Sequence, residues 1–239
     1  DDRGTPDGAR EAASEALAEG AEIILGPLFA GSVQAAGAVA RQAGRPVIAF
    51  STDASVATRG VYLMGFLPQS EVDRIIDYAA QQGRRSVAAL IPQSVYGNVV
   101  EAQFTEAAAR KGLRVVAVER YAAGQAAASV QRLSGVISGP AAQADALFVP
   151  ESPEAVGALG TALQSIGFDP RRVKPLGTAV WKDARAYRGA ALQGGWFAAP
   201  DTTGYEAFAG RYRARFQSDP VRVASLAYDA VSLAAALNR

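Results

Sequence analysis

The sequence has no cysteine and no histidine, one methionine and two tryptophans. The first two absences exclude thiol nucleophiles, Cys or His zinc sites, Ser-His-Asp triads and the side chain most used for proton transfer near neutral pH. Missing cysteine does not fix a compartment, because neither exported nor cytosolic proteins require it. Lysine is scarce as well: Lys111, Lys174 and Lys182 stand beside 21 arginines, dispersed among 23 acidic residues, for a formal net charge of +1. No basic stripe forms along the chain, so composition carries no electrostatic footprint for nucleic acid or an anionic membrane. No run reaches the roughly 18 apolar residues of a membrane span, and no signal peptide is visible.

What remains is an ordinary globular composition, 49% apolar and 20% charged over 239 residues, enough for one large or two small domains with a real core. The organising stretch is Ala21–Asp53. Ile23, Ile24 and Leu25 form a short apolar run ending at Gly26-Pro27, the pattern of a parallel strand buried on both faces. A helix follows, with Ser32 placed to cap it, Val33, Ala36, Val39 and Ala40 on its apolar side, and Gly44 and Pro46 to stop it. Val47–Phe50 reads as a second buried strand that ends in Ser51, Thr52 and Asp53. Polar residues thus gather at two strand ends, where open α/β sheets bind ligands.

The alternation continues along the chain. Residues 1–20 read as a turn and a helix, and Val61–Phe66 as a third strand. Leu67-Pro68-Gln69 breaks the pattern, and Ser70 with Asp73 offers a capping box for a helix to Gly83. Strands are expected at 86–91, 113–118, 144–149, 174–177 and 194–200. Helices are expected from the 92–98 loop to Lys111, and over 129–137, 180–187, 205–216 and 221–237. Another begins at Ser152 and Pro153 as N-cap and N1 and runs to Gly167. Strands about 25–30 residues apart with helices between them make βαβ units and a parallel sheet.

Few motifs carry chemistry. Gly26–Ser32 has the glycine spacing of a phosphate loop but lacks its lysine, and no Ser-x-x-Lys pair or Gly-x-Ser-x-Gly elbow activates a hydroxyl. Catalysis is therefore not expected, and neither a cofactor nor a metal is implied. Ser51, Thr52, Asp53 and Ser55 suit either polar ligand contact or an Asx/ST turn. Tyr96-Gly97 lies where a strand hands over to a helix; Tyr96 suits ligand contact as well as loop packing. Glu151 and Trp181 also follow strands, with solvation and core packing as their structural alternatives. Trp196 falls inside a strand and reads as packing.

With these residues in place, the chain resembles the type I periplasmic binding proteins, in particular the leucine/isoleucine/valine receptors. The resemblance rests on Glu22-Ile-Ile-Leu-Gly-Pro-Leu with Ser32-Val-Gln-Ala-Ala, Pro46-Val-Ile-Ala-Phe-Ser, Thr58-Arg-Gly-Val-Tyr and Tyr96-Gly97. It implies an α/β fold of two doubly wound parallel-sheet lobes joined by hinge strands. Residues 1–66 plus 201–239 would form one lobe and 67–200 the other, with hinges near Leu67-Pro68 and Ala199-Pro200. The family pattern has strands before Asp1 and after Arg239, so the fold is expected to be incomplete at both termini. A small polar ligand would be held between the lobes by Phe29, Ala30, Ser32, Ser51, Thr52, Asp53, Ser55, Tyr96, Glu151 and Trp181. The implied partner is an ABC transporter permease in a periplasmic or cell-envelope setting, with membrane attachment only through a lipid anchor outside this sequence.

Leu25-Gly-Pro-Leu-Phe, Val47-Ile-Ala-Phe-Ser-Thr-Asp and Met64-Gly-Phe-Leu-Pro are also similar to lipoprotein activators of penicillin-binding proteins. That resemblance implies a second reading, contact with a cell-wall synthase. Two departures bear on the ligand: Ala30 stands where leucine-type receptors carry a carboxylate-binding serine, and Ala179 where they carry the acid that holds the ammonium. Binding of free α-amino acids in the usual family manner is therefore not expected, with Glu151 and Asp53 as the acids left to substitute.

Overall fold

In a computed structural model, residues 1–151, 153–182 and 190–237 are described. The chain forms two compact units, Asp1–Leu67 with Asp201–Arg239, and Pro68–Pro200.

The first unit opens with α1 (Pro6–Ala18), which has proline in its first turn and is capped by Thr5, whose Oγ1 accepts from Gly8 N at 3.1 Å. Then come β1 (Ile24–Leu25), α2 (Ala30–Gln42), β2 (Val47–Ala49), a 3₁₀ turn over Ala54–Val56 and β3 (Val61–Leu63). The three strands pair in parallel in the order β1-β2-β3, with Ile24 opposite Val47 and Val47 opposite Val61. Helices α1 and α2 meet through alanines, Ala9 and Ala13 against Ala35 and Ala36. Val33 and Ala40 on α2 pack on Val47, Ala49 and Val61. Gly37 permits this approach, since a Cβ there would come within 2.8 Å of Val61 Cγ2. The unit ends in α7 (Thr203–Phe216) and α8 (Ala224–Leu237), which follow the second unit in the chain. Arg222 stacks over Tyr205 and Phe66, 4.3 and 5.4 Å from the ring centroids.

The second unit is a doubly wound α/β sandwich. Its elements are α3 (Pro68–Gln81), β4 (Ser86–Pro92), α4 (Val95–Lys111), β5 (Arg114–Tyr121), α5 (Ala126–Ile137), β6 (Ala146–Phe148), α6 (Pro153–Ser165), β7 (Lys174–Gly177), 3₁₀ turns at Ala179–Lys182 and Ala190–Leu192, and β8 (Trp196–Phe197). All five strands are parallel, in the order β5-β4-β6-β7-β8. The central strands β4 and β6 are buried on both faces, which is why they read as unbroken apolar runs. Helices α3 and α4 cover one face with Val72, Ile76, Val100 and Phe104, and α5 and α6 the other with Val130, Leu133, Leu159 and Leu163. Phe104 stacks on Phe148 with ring centroids 5.2 Å apart and planes 3° apart.

The structure corrects several boundaries. Strand β1 is half-buried rather than enclosed, since it pairs only with β2 among the described residues. Helix α2 begins at Ala30 with Phe29 at its N-cap and no side-chain cap, so Ser32 lies within the first turn and caps nothing. Helix α3 begins at Pro68, a residue suited to a first turn, so the Ser70–Asp73 capping box does not form. Asp73 instead accepts from Gln103 and Arg110. Strand β5 runs on to Tyr121 beside the long β4, and the strand expected at 194–200 shortens to two residues at the sheet edge. Pro153 opens α6 as expected, whereas Ser152, its expected cap, lies outside the described residues. The helix expected at 180–187 is a 3₁₀ turn as far as Lys182, and 183–189 also lie outside them.

Candidate functional site

Parallel strands deliver their following loops to one edge of the sheet, so residues directly after strands become neighbours. In the second unit the chain leaves β4 toward β5 and leaves β6 toward β7, which places a reversal of strand order between β4 and β6. Crevices at such reversals are where open α/β sheets hold ligands. Tyr96 follows β4 and Glu151 follows β6.

Tyr96 sits in the first turn of α4 rather than in the loop expected there. Ser94 caps this helix by accepting from Gly97 N at 2.9 Å. The Tyr96 hydroxyl is 2.9 Å from the Thr178 hydroxyl, which follows β7 and is fully buried. Burial pushes the Tyr96 phenol up to about 12, and the charges of Glu71 and Glu151 add to the effect. Glu151 accepts from Tyr121 Oη at 2.5 Å; Tyr121 ends β5, and burial raises its phenol, with the hydrogen bond to Glu151 acting in the same sense.

Glu71 comes from the first turn of α3, and its Oε2 accepts from the backbone N–H of Ala179 at 3.0 Å. Burial raises its carboxyl above the usual range, and the Ala179 N–H opposes that rise. No lysine or arginine among the described residues forms an ion pair with it. A carboxylate from α3 thus lies against the Ala179 backbone, while Glu151 is bonded to Tyr121 and Asp53 serves a turn in the first unit.

In that unit the loops after β1 and β2 are tied together, with Gly26 N donating to Ile48 O at 2.7 Å and Phe50 N to Pro27 O at 2.9 Å. Phe29, Ala30 and Ser32 therefore share one sheet edge with Ser51, Thr52, Asp53 and Ser55. Ser51 is buried and its Oγ accepts from Asp53 N at 3.1 Å. Asp53 caps the 3₁₀ turn by accepting from Ser55 N at 2.9 Å, and its hydrogen bonds from Ser55 lower its carboxyl. The turn is close-packed: a Cβ on Gly65 would come within 2.7 Å of Ser51 O. Ser51 and Asp53 thus hold the loop, while Phe29, Thr52 and Ser55 are exposed. Ser32 Oγ is buried and has no partner among the described residues.

Trp181 is core. It is 2% exposed, and its ring lies against Gly177 and Gly195, where a Cβ on either would collide with it. Trp196 is packing, as read from the sequence, edge-on to Tyr78 at 5.1 Å and flanked by Arg84 and Lys174. Glu71, Thr178 and Tyr121 were not singled out as site residues in the sequence. The available signal for Thr178 is its place directly after a strand, and Tyr121 lies three residues beyond the strand end that the apolar pattern predicts. Glu71 carried no local signal. Among the described residues, no group of three acidic residues is arranged to hold a metal ion, and no helix is long and apolar enough to cross a membrane.

Residues 1–239 match the model of the periplasmic binding protein family, and the chain belongs to that family, in its type I branch. Solved structures share the fold. A solute-binding protein of an ABC transporter from Rhodopseudomonas palustris BisB5, in complex with 3,4-dihydroxybenzoic acid, is 23% identical with a TM-score of 0.61 over 98% of this chain and 66% of its own. A protein assigned as a branched-chain amino acid ABC transporter from Rhodospirillum rubrum is 19% identical with a TM-score of 0.78 over 97% of this chain and 68% of its own. A leucine-, isoleucine-, valine-, threonine- and alanine-binding protein from Brucella ovis is 18% identical with a TM-score of 0.64 over 98% of this chain and 63% of its own. The chain thus spans about two thirds of the length of these proteins, and the likeness is one of fold. No curated protein matches the sequence.

Proposed function

We propose that this chain is the non-catalytic, extracytoplasmic solute receptor of an ABC transporter, with its two units as the receptor's lobes. It recognises a small polar solute at the carboxyl ends of its strands. The observation that carries this reading is the grouping of Tyr96, Thr178, Glu71 and Glu151 where the strand order reverses. Hydroxyls and carboxylates there accept hydrogen bonds, and Glu71, without a cation among the described residues, calls for a positively charged partner. The solute therefore carries an ammonium or another basic nitrogen. In the first unit, the edge formed by Phe29, Ala30, Ser32 and Ser51–Ser55 provides exposed hydroxyls and the N-terminus of α2, which suit a polar or anionic group.

This revises the expectation drawn from Ala179: its missing acid no longer argues against an amino acid, because Glu71 reaches the same backbone. Structural neighbours described as amino acid transporter or binding proteins agree with an ammonium-bearing solute, while the dihydroxybenzoate complex supports an aromatic acid instead. A penicillin-binding-protein partner finds no support in these neighbours. Calorimetry with leucine, alanine, putrescine and benzoate tests the reading. Saturable binding of at least one amine is expected, with benzoate inert. Binding of benzoate and of no amine would overturn the assignment.

A further inference from the structure

An arginine-rimmed pocket lies at the opposite end of the first unit's strands, well apart in the fold from the carboxyl-end loops. It has a volume of about 540 Å³ and is lined by Arg41, Arg45, Arg59, Tyr62, Gly37 and Gly60 among others. The fold assembles it from positions that are scattered in sequence. Parallel register sets Val47 opposite Val61, and Val47 N donates to Gly60 O at 2.8 Å. Arg45 and Arg59 each stand two residues ahead of these paired positions, so two guanidiniums enter from adjacent strands. Arg41 adds a third from the last turn of α2.

Three cations lining one pocket give it a positive potential that favours an anion. The chain itself supplies little compensation. Arg45 has one distant pairing, with Glu22 at 3.7 Å, in which both side chains are substantially exposed, so solvent screens most of its effect. Arg41 donates to a neutral hydroxyl, Thr58 Oγ1, at 2.9 Å. The Arg59 guanidinium makes no hydrogen bond or ion pair among the described residues. The floor is open, with nothing within 4 Å of where a Cβ would stand on Gly44 or Gly60. Tyr62, 62% exposed, provides a flat wall. The volume lies within the range of small-molecule pockets, roughly 300–1,000 Å³, and guanidinium forks match the oxygen pairs of phosphate.

We propose that this pocket is an anion site for a phosphate group, carried either by a soluble phosphoester or by a lipid headgroup. Two probes separate the sources: inorganic pyrophosphate followed by calorimetry in low-salt buffer, and sedimentation with phosphatidylcholine vesicles with and without phosphatidylglycerol. For whichever probe binds, Arg41→Ala and Arg59→Ala are each expected to weaken binding about ten-fold, the loss of one charge-assisted contact. Arg59→Lys, which keeps the charge and loses the fork, should fall between wild type and Arg59→Ala. Arg10→Ala on α1 removes an exposed cation already paired with Asp7 and should leave binding unchanged. All these arginines are exposed, so the variants retain the fold. Pyrophosphate binding lost in the pocket variants supports a soluble ligand; vesicle binding alone, lost in the same variants, supports a headgroup. Failure of both probes to bind, or equal weakening by Arg10→Ala and Arg59→Ala, would overturn the proposal.

Discussion

Replacing Glu71 by glutamine separates ligand recognition from stability. The amide keeps the size of the side chain and an oxygen to accept from Ala179 N, now 3.0 Å from Oε2, but it removes the charge. Burial raises the Glu71 carboxyl above its ordinary value of 4.5, so the folded state holds this proton more tightly than the unfolded state does. The stabilising contribution of that protonation is complete below the unfolded value and is lost as pH rises through the raised folded value. At neutral pH the empty protein therefore carries a desolvated carboxylate whose cost glutamine lacks. Glu71→Gln should melt at the same temperature as wild type or higher at pH 7, with a flatter dependence of Tm on pH from 4 to 7. For an amine ligand the order reverses: loss of one charge-assisted hydrogen bond, about 1.5–3 kcal/mol, weakens binding roughly ten- to a hundred-fold. Scanning calorimetry across pH and titration calorimetry with the amine identified by screening measure the two effects. A variant that binds that amine as tightly as wild type, or that melts lower at pH 7 with a steeper pH dependence, refutes the role given to Glu71.

Tyr96→Phe strands the buried Thr178 hydroxyl and should cost about 1–3 kcal/mol; Thr178→Val added to it should cost less than the sum of the single changes, as a urea-denaturation double-mutant cycle would read. Phe104→Ala empties a fully buried site stacked on Phe148 and should destabilise the second unit by about 3–5 kcal/mol, seen as an early transition on heating. Phe29→Ala removes a side chain 57% exposed and should change stability by less than about 0.5 kcal/mol while weakening solute binding, so titration and melting curves must part company.

The architecture was legible where burial leaves a local trace. Val87–Ile91 and Ala146–Phe148 are enclosed on both faces and read as apolar runs, and α3 displays Val72, Ile75, Ile76 and Ala79 at helical spacing. Boundaries were less legible because neighbours set them. Strand β5 extends to Tyr121 through its pairing with β4 although its outer residues are polar, and β8 shrinks at an edge where, among the described residues, only β7 pairs with it. Ser32 shows the same limit in a helix: a good N-cap residue does not cap when the helix starts two residues earlier.

The site follows a simpler rule. In a parallel sheet, the segments that follow the strands leave at one edge and those that precede them enter at the other, whatever their separation in sequence. Tyr96, Glu151 and Thr178 each follow a strand and gather at one end of the second unit. Arg45 and Arg59 each precede a strand and gather at the other end of the first unit's sheet. Position relative to a strand end was therefore the informative coordinate, and from sequence it placed Tyr96 and Glu151 at the strand ends where the structure has them. Trp181 meets the same condition and is core, because Gly177 and Gly195 leave room for its ring to turn inward. The rule cannot reach Glu71, which belongs to a helix and meets Ala179 across 108 residues. Packing of α3 on the sheet brings them together, and that packing depends on the summed apolar face of the helix rather than on Glu71 itself. A carboxylate held in place by other residues' burial can change or disappear without unfolding the unit, so under the function proposed above it is the position where the choice of solute is most free to vary.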